Sequence, residues 1–109
     1  MRYSDLTEDQ KSKICNGCGA KGGLVKVPSF IFKASCNQHD FYYWRGREES
    51  DRLKADESFY RNMKIDIQDE KWYSKPFHHV WAYTYFKAVR IFGKKAFNYS
   101  INYKTLADI

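Results

Sequence analysis

A chain of 109 residues with 43% hydrophobic and 18% aromatic side chains has the size of one domain with a modest core. Two Pro and six Gly exclude a chain of disordered composition, and no run of about 20 apolar residues is present to span a bilayer. The net charge of +6 favours anionic partners (nucleic acid, an anionic membrane surface or lipid headgroups) without choosing among them.

Met1 to Lys13 is polar and lacks the apolar run of a signal peptide. Synthesis in the cytoplasm is therefore expected, with release or export by another route if the protein acts outside. Thr7-Glu8-Asp9-Gln10 has capping-box form and predicts a short helix to about Ile14. Cys15 to Gly23, CNGCGAKGG, reads as a tight loop. Val25 and Val27 suggest a short extended piece, closed by Pro28. Three cysteines, an odd number, argue against a complete disulfide framework.

A long helix is predicted from Ser29 to about Arg45, with Phe32, Cys36, His39 and Tyr43 on one face and Gly46 as its stop. A second is predicted from about Glu48 to Ile67, with Leu53, Asp56, Tyr60 and Met63 facing inward. The short turn at Gly46 sets the two antiparallel. A third runs from about Pro76 to Phe92, with Phe77, Val80, Trp81, Tyr85, Ala88 and Phe92 on its apolar side and Gly93 at its end. Lys94 to Ile109 reads as loop with one extended segment. The expected fold is mainly α: two long antiparallel helices carrying a His/Asp pair, a Gly-rich metal loop before them and a third helix alongside, in one domain over residues 1–109.

Two ionisable residues, His39 and Asp56, stand where apolar ones belong. A buried carboxylate needs a partner, and His39 is the obvious one. A carboxylate on one ring nitrogen fixes the tautomer and leaves the other as a general base. Tyr43, one turn beyond His39, can give its hydroxyl to Asp56. The plainer reading is a His–Asp pair that satisfies itself in a helical core. Asp40 points about 100° round the helix from His39, toward the side where Gly17, Gly19, Gly22 and Gly23 could turn carbonyls inward. One carboxylate with carbonyls and water suits calcium; the plainer reading of Asp40 is a solvated acid.

Cys36-Asn37-Gln38-His39-Asp40-Phe41-Tyr42-Tyr43 resembles the Cys-x-x-His-Asp-x-x-Tyr signature of secreted phospholipases A2, especially the short bacterial and fungal members; a phage or bacterial source would fit. Cys18 to Gly23 resembles that family's calcium loop, and Asp56-Glu57-Ser58-Phe59 its Asp-x-x-Phe segment. The resemblance implies calcium-dependent hydrolysis of the sn-2 ester of a glycerophospholipid, at a membrane or other lipid surface. It implies His39 as the base that activates water, Asp56 as its orienting partner and Tyr43 as a hydrogen-bond donor to Asp56. It implies Asp40 as a calcium ligand beside the carbonyls of Gly17, Gly19 and Gly22; alignment on His39 and Pro28 instead moves the ligands to Gly19, Lys21 and Gly23. Of the family's disulfides it leaves at most Cys18–Cys36, with Cys15 free.

A competing pattern uses some of the same residues. Cys15 and Cys18 with Cys36 and His39 have zinc-knuckle spacing, which would make the chain a nucleic-acid-binding or interaction module. A phospholipase-like fold kept for binding alone is a third reading. His78 and His79 read as polar residues at a helix start, and Lys87, Arg90, Lys94 and Lys95 as cations suited to a helix C-terminus. Trp72, Tyr73 and Phe77 are expected to pack in the core, with lipid contact as the alternative.

Overall fold

The structure, a computed structural model, describes residues 2–15 and 31–109. It is mainly helical: α1 (Glu8–Ile14), α2 (Lys33–Arg45), α3 (Glu49–Ile67) and α4 (Lys75–Phe92), with short 3-10 turns at Tyr3–Asp5, Gly93–Lys95 and Leu106–Asp108. No strand occurs among the described residues, where the one β-type pairing is an isolated bridge between Arg47 and Tyr99. The expected extended piece at Val25 and Val27 lies outside them.

Local sequence explains the helix ends. Thr7 accepts from the Gln10 amide while the Gln10 side chain accepts from the Thr7 amide, closing the capping box of α1. Glu48 starts α3, with its amide donated to the Asp51 carboxylate. Gly46 ends α2 at φ 71 and ψ −145, a conformation open to glycine alone at no cost.

The antiparallel register of α2 and α3 follows from their cross-links. His39 and Tyr43 both bond Asp56, Gln38 bonds Asn62 and Ser35 bonds Asp66. α3 is flanked by α2 and α4. The core between them contains Phe32, Cys36, Phe59, Met63, Ile67, Ala82 and Tyr85. Burying a side chain such as Phe59, Met63 or Ile67 stabilises by roughly 1.5–3 kcal/mol.

Two inward faces differ from the sequence reading. Leu53 is exposed, and α3 instead buries Arg52, Ala55, Asp56, Phe59, Met63 and Ile67. Two charged residues in that stripe mask its periodicity. On α4, Phe77, Val80 and Phe92 are exposed, while His78, Ala82 and Tyr85 are buried and Trp81, Phe86 and Val89 pack partly against the core. That helix is apolar on most sides, so spacing alone does not select the face. Trp72, at 82% exposure, Tyr73 and Phe77 lie on the surface rather than in the core.

The segment after α4 forms an arm over the C-terminal end of α2. The carbonyls of Tyr43, Trp44 and Arg45 accept from the Asn98 amide, the Asn98 side chain and the Lys104 amide. These carbonyls lack helical partners at a helix end, and the arm supplies them. Asn98 in turn accepts from the Arg47 amide, and Ser100 donates to the Arg47 carbonyl.

Candidate active site

Asp56 is fully buried in the middle of α3. An ionised carboxylate there requires charge compensation and hydrogen bonds, and four side chains surround it. His39 Nε2 lies 2.7 Å from Oδ1. The Tyr43 hydroxyl donates to the same oxygen at 2.6 Å. Arg90, from the last turn of α4, donates from Nη1 to Oδ2 at 2.7 Å, and Arg52 Nη1 lies 3.5 Å from Oδ2.

Arg52 is held in turn by Glu49, which accepts from its Nε at 2.9 Å and pairs with its Nη2 at 2.7 Å. Arg52 also donates to the Val89 carbonyl of α4 at 3.0 Å. Glu49 takes a further bond from the Tyr99 hydroxyl of the C-terminal arm. Two guanidinium groups therefore face two carboxylates. The Arg52 bond, followed by the Tyr99 bond, lowers the Glu49 carboxyl to about 2, and Glu49 raises the Arg52 guanidinium above its usual value.

The His39 ring lies between Tyr43, at 4.1 Å between centroids, and Phe59, at 4.5 Å. These rings restrict its rotation. Burial lowers the pKa of His39, partly offset by its hydrogen bond to Asp56, which favours neutral imidazole. With a carboxylate as acceptor the ring proton belongs on Nε2, and the basic lone pair then sits on Nδ1. Burial, and secondarily the Asp56 hydrogen bond, holds Tyr43 well above the usual phenol value, so it remains a donor.

Asp40 is half-buried on α2. After burial, its charge is the main cause that pushes the Cys15 thiol up to about 11. Cys15 also contacts α2 directly, through its Sγ and the Asn37 carbonyl at 3.1 Å. Asp40 thus faces the side of α2 on which residue 15 lies. The expected loop ligands Gly17, Gly19 and Gly22 lie outside the described residues, as do Lys21, Gly23 and Cys18. No group of three His, Cys, Asp or Glu side chains placed to hold a metal ion occurs among the described residues. The Asp40 carboxylate is a donor type that fits a hard cation completed by carbonyls and water.

The zinc arrangement fits less well. Cys36 is disulfide-bonded and so presents no thiolate, Cys15 is free, and His39 Nε2 is engaged by Asp56.

The structure brings together His39, Tyr43 and Asp56 as their helical spacing suggested. Arg52, Arg90, Glu49, Phe59 and Tyr99 join the site in the structure without being marked as site residues by spacing. Arg52 was detectable as a cation four residues before Asp56 on one helix. Arg90, whose place near the end of α4 suits the helix dipole, instead bonds Asp56. His78, read as a polar residue at a helix start, is buried beside Phe32, with Nε2 4.0 Å from Glu70; His79 is exposed.

A sequence model of the prokaryotic phospholipase A2 family matches residues 6–93, a span containing α1 to α4 and all of His39, Asp40, Tyr43, Asp56 and Arg90. No curated protein and no solved structure matches the chain. With most of its length covered by that match, the chain belongs to the prokaryotic phospholipase A2 family.

Proposed function

We propose that the protein hydrolyses the sn-2 ester of a glycerophospholipid in a calcium-dependent reaction, with His39 as general base. The observation that carries this reading is the buried Asp56 carboxylate on His39 Nε2 at 2.7 Å, which directs the basic lone pair to Nδ1. Membership of a phospholipase A2 family supplies the substrate class.

In the proposed reaction, His39 Nδ1 takes a proton from water as the water oxygen bonds to the ester carbonyl carbon. The imidazolium is stabilised by Asp56, whose position Tyr43 supports. Collapse of the tetrahedral intermediate breaks the bond to the glycerol oxygen, and His39 returns the proton to that oxygen. The products are a fatty acid and a lysophospholipid. Asp40, with the carbonyls of Gly17, Gly19 and Gly22, would hold calcium, whose chemistry is Lewis-acid polarisation of the ester carbonyl. The exposed Trp72, Tyr73 and Phe77, with Lys71 and Lys75 beside them in sequence, support contact with a lipid surface.

The test is a calcium titration of hydrolysis on a fluorescent phospholipid with the wild type, His39→Gln and Asp40→Asn. Expected are calcium-activated release of fatty acid by the wild type, loss of turnover in His39→Gln with the fold retained, and loss of calcium activation in Asp40→Asn. Full hydrolysis by His39→Gln would refute the role of His39. Unchanged calcium dependence in Asp40→Asn would refute the ligand assignment. Lipid binding without hydrolysis by folded wild-type protein would make this a binding member of the family.

A further inference from the structure

We infer that Arg90 is a positioning residue for the hydrolysis, acting through Asp56; this rests on the reading of His39 as the base. The carboxylate of Asp56 has two unequal oxygens. Oδ1 receives both His39 Nε2 and the Tyr43 hydroxyl. Oδ2 receives Arg90 Nη1 at 2.7 Å. Rotation of an aspartate carboxylate about its last side-chain bond is soft, with a broad two-fold profile. Two donors on one oxygen leave that rotation weakly fixed, and a strong charged donor on the other oxygen fixes it.

Arg52 is less suited to this task although it is close. Its Nη1 is 3.5 Å from Oδ2, and its own donors are directed to Glu49 and to the Val89 carbonyl. Arg90 makes the shorter bond, while its Nη2 stands 3.8 Å from Glu49. It is also the contact by which α4, a helix carrying neither His39 nor Asp56, reaches the carboxylate. Arg90 holds the plane of Asp56 so that Oδ1 remains aligned with His39. Its part is exerted through Asp56, so its loss should lower turnover and leave substrate affinity unchanged.

The experiment compares wild type, Arg90→Gln and Arg90→Lys by steady-state kinetics on the fluorescent phospholipid, with His39→Gln as the control for the base. A second readout is the NMR signal of the His39 Nε2 proton. Expected for Arg90→Gln is a fall in kcat of tenfold or more with KM within twofold, and a shifted or broadened Nε2 proton. Arg90→Lys, which keeps a cationic donor, should recover part of both. A folded Arg90→Gln with wild-type kcat and an unmoved Nε2 proton overturns the inference while the base assignment stands. If Arg90→Gln does not fold, Arg90→Lys decides: reduced kcat with unchanged KM supports the inference, and wild-type kcat with an unmoved proton overturns it. Full activity in His39→Gln instead removes the reading on which the inference rests.

Discussion

A Cβ placed on Gly93 would lie 2.4 Å from the Tyr43 hydroxyl, the group that donates to Asp56. The backbone at Gly93 is ordinary, with φ −72 and ψ −16, so glycine is required there for space and not for conformation. Alanine would gain roughly 1 kcal/mol of helical preference, whereas overpacking a filled site costs typically about 1–3 kcal/mol. Arg52 Nη1, 3.2 Å from the same Cβ position, restricts escape on another side. Gly93→Ala is therefore expected to lower both Tm and kcat, as Tyr43 is displaced from Asp56. A thermal melt and a rate measurement check this; an alanine variant with a raised Tm and full turnover would show that Tyr43 moves aside freely.

Asp56→Asn keeps the shape of the side chain and removes its charge. The amide can no longer hold His39 in one tautomer by charge, and replacing the corresponding aspartate of a Ser-His-Asp triad costs on the order of 10⁴ in rate. A loss of that order in kcat is expected. Arg52 and Arg90 would then face Glu49 alone, so stability should fall too, since removing one partner of a buried ion pair typically costs about 3–5 kcal/mol. Kinetics and urea unfolding measure the two effects separately, and a variant that keeps its stability would mean that the guanidinium groups are solvated.

The helical order, the turn at Gly46 and the grouping of His39, Tyr43 and Asp56 were legible because each depends on local spacing. A histidine and an aspartate on apolar stripes mark themselves by being out of place. Arg90 gave no such mark. Its role depends on how α4 docks, and α4 is apolar on most of its faces, so no periodicity reveals which face turns inward. Tyr99 and Asn98 were illegible for a related reason: the arm is ordered by carbonyls at the end of α2, acceptors that every helix possesses. Spacing points to Leu53 as an inward residue because Arg52 and Asp56 occupy the buried stripe that apolar residues would otherwise mark.

Gly46 joins the α2 end to that arm. At φ +71 its conformation is strained for any L side chain, and a Cβ would meet the Asn98 carbonyl oxygen at 2.0 Å. The neighbouring atom is backbone, already engaged with the Arg47 amide, and cannot rotate away. Backbone strain alone costs about 1–3 kcal/mol, and the clash adds to it. Gly46→Ala should lower the urea midpoint markedly and loosen the arm, visible as faster amide exchange at Ser100 and Lys104. A midpoint equal to wild type would show that the arm docks without the close approach at Gly46.

Asp66 carries a pH dependence of opposite sign to that of a salt-bridged carboxylate. It stands in the last turn of α3, accepting a hydrogen bond from Ser35, and burial raises its pKa above 3.8, partly offset by that bond. A folded-state pKa above the unfolded one means that the folded chain binds the proton more tightly. The stabilising contribution is then full below about pH 3.8 and is lost as pH rises through the folded value. At neutral pH the charge is also close to the negative end of the helix dipole. Asp66→Asn retains a carbonyl oxygen to accept from Ser35 and removes the half-buried charge. Its Tm relative to wild type should therefore be more favourable at pH 7 than at pH 4. Melts of both proteins at the two pH values decide the matter: an equal difference at both would show that Asp66 is solvated, and a larger loss at pH 7 would show that its charge stabilises the fold.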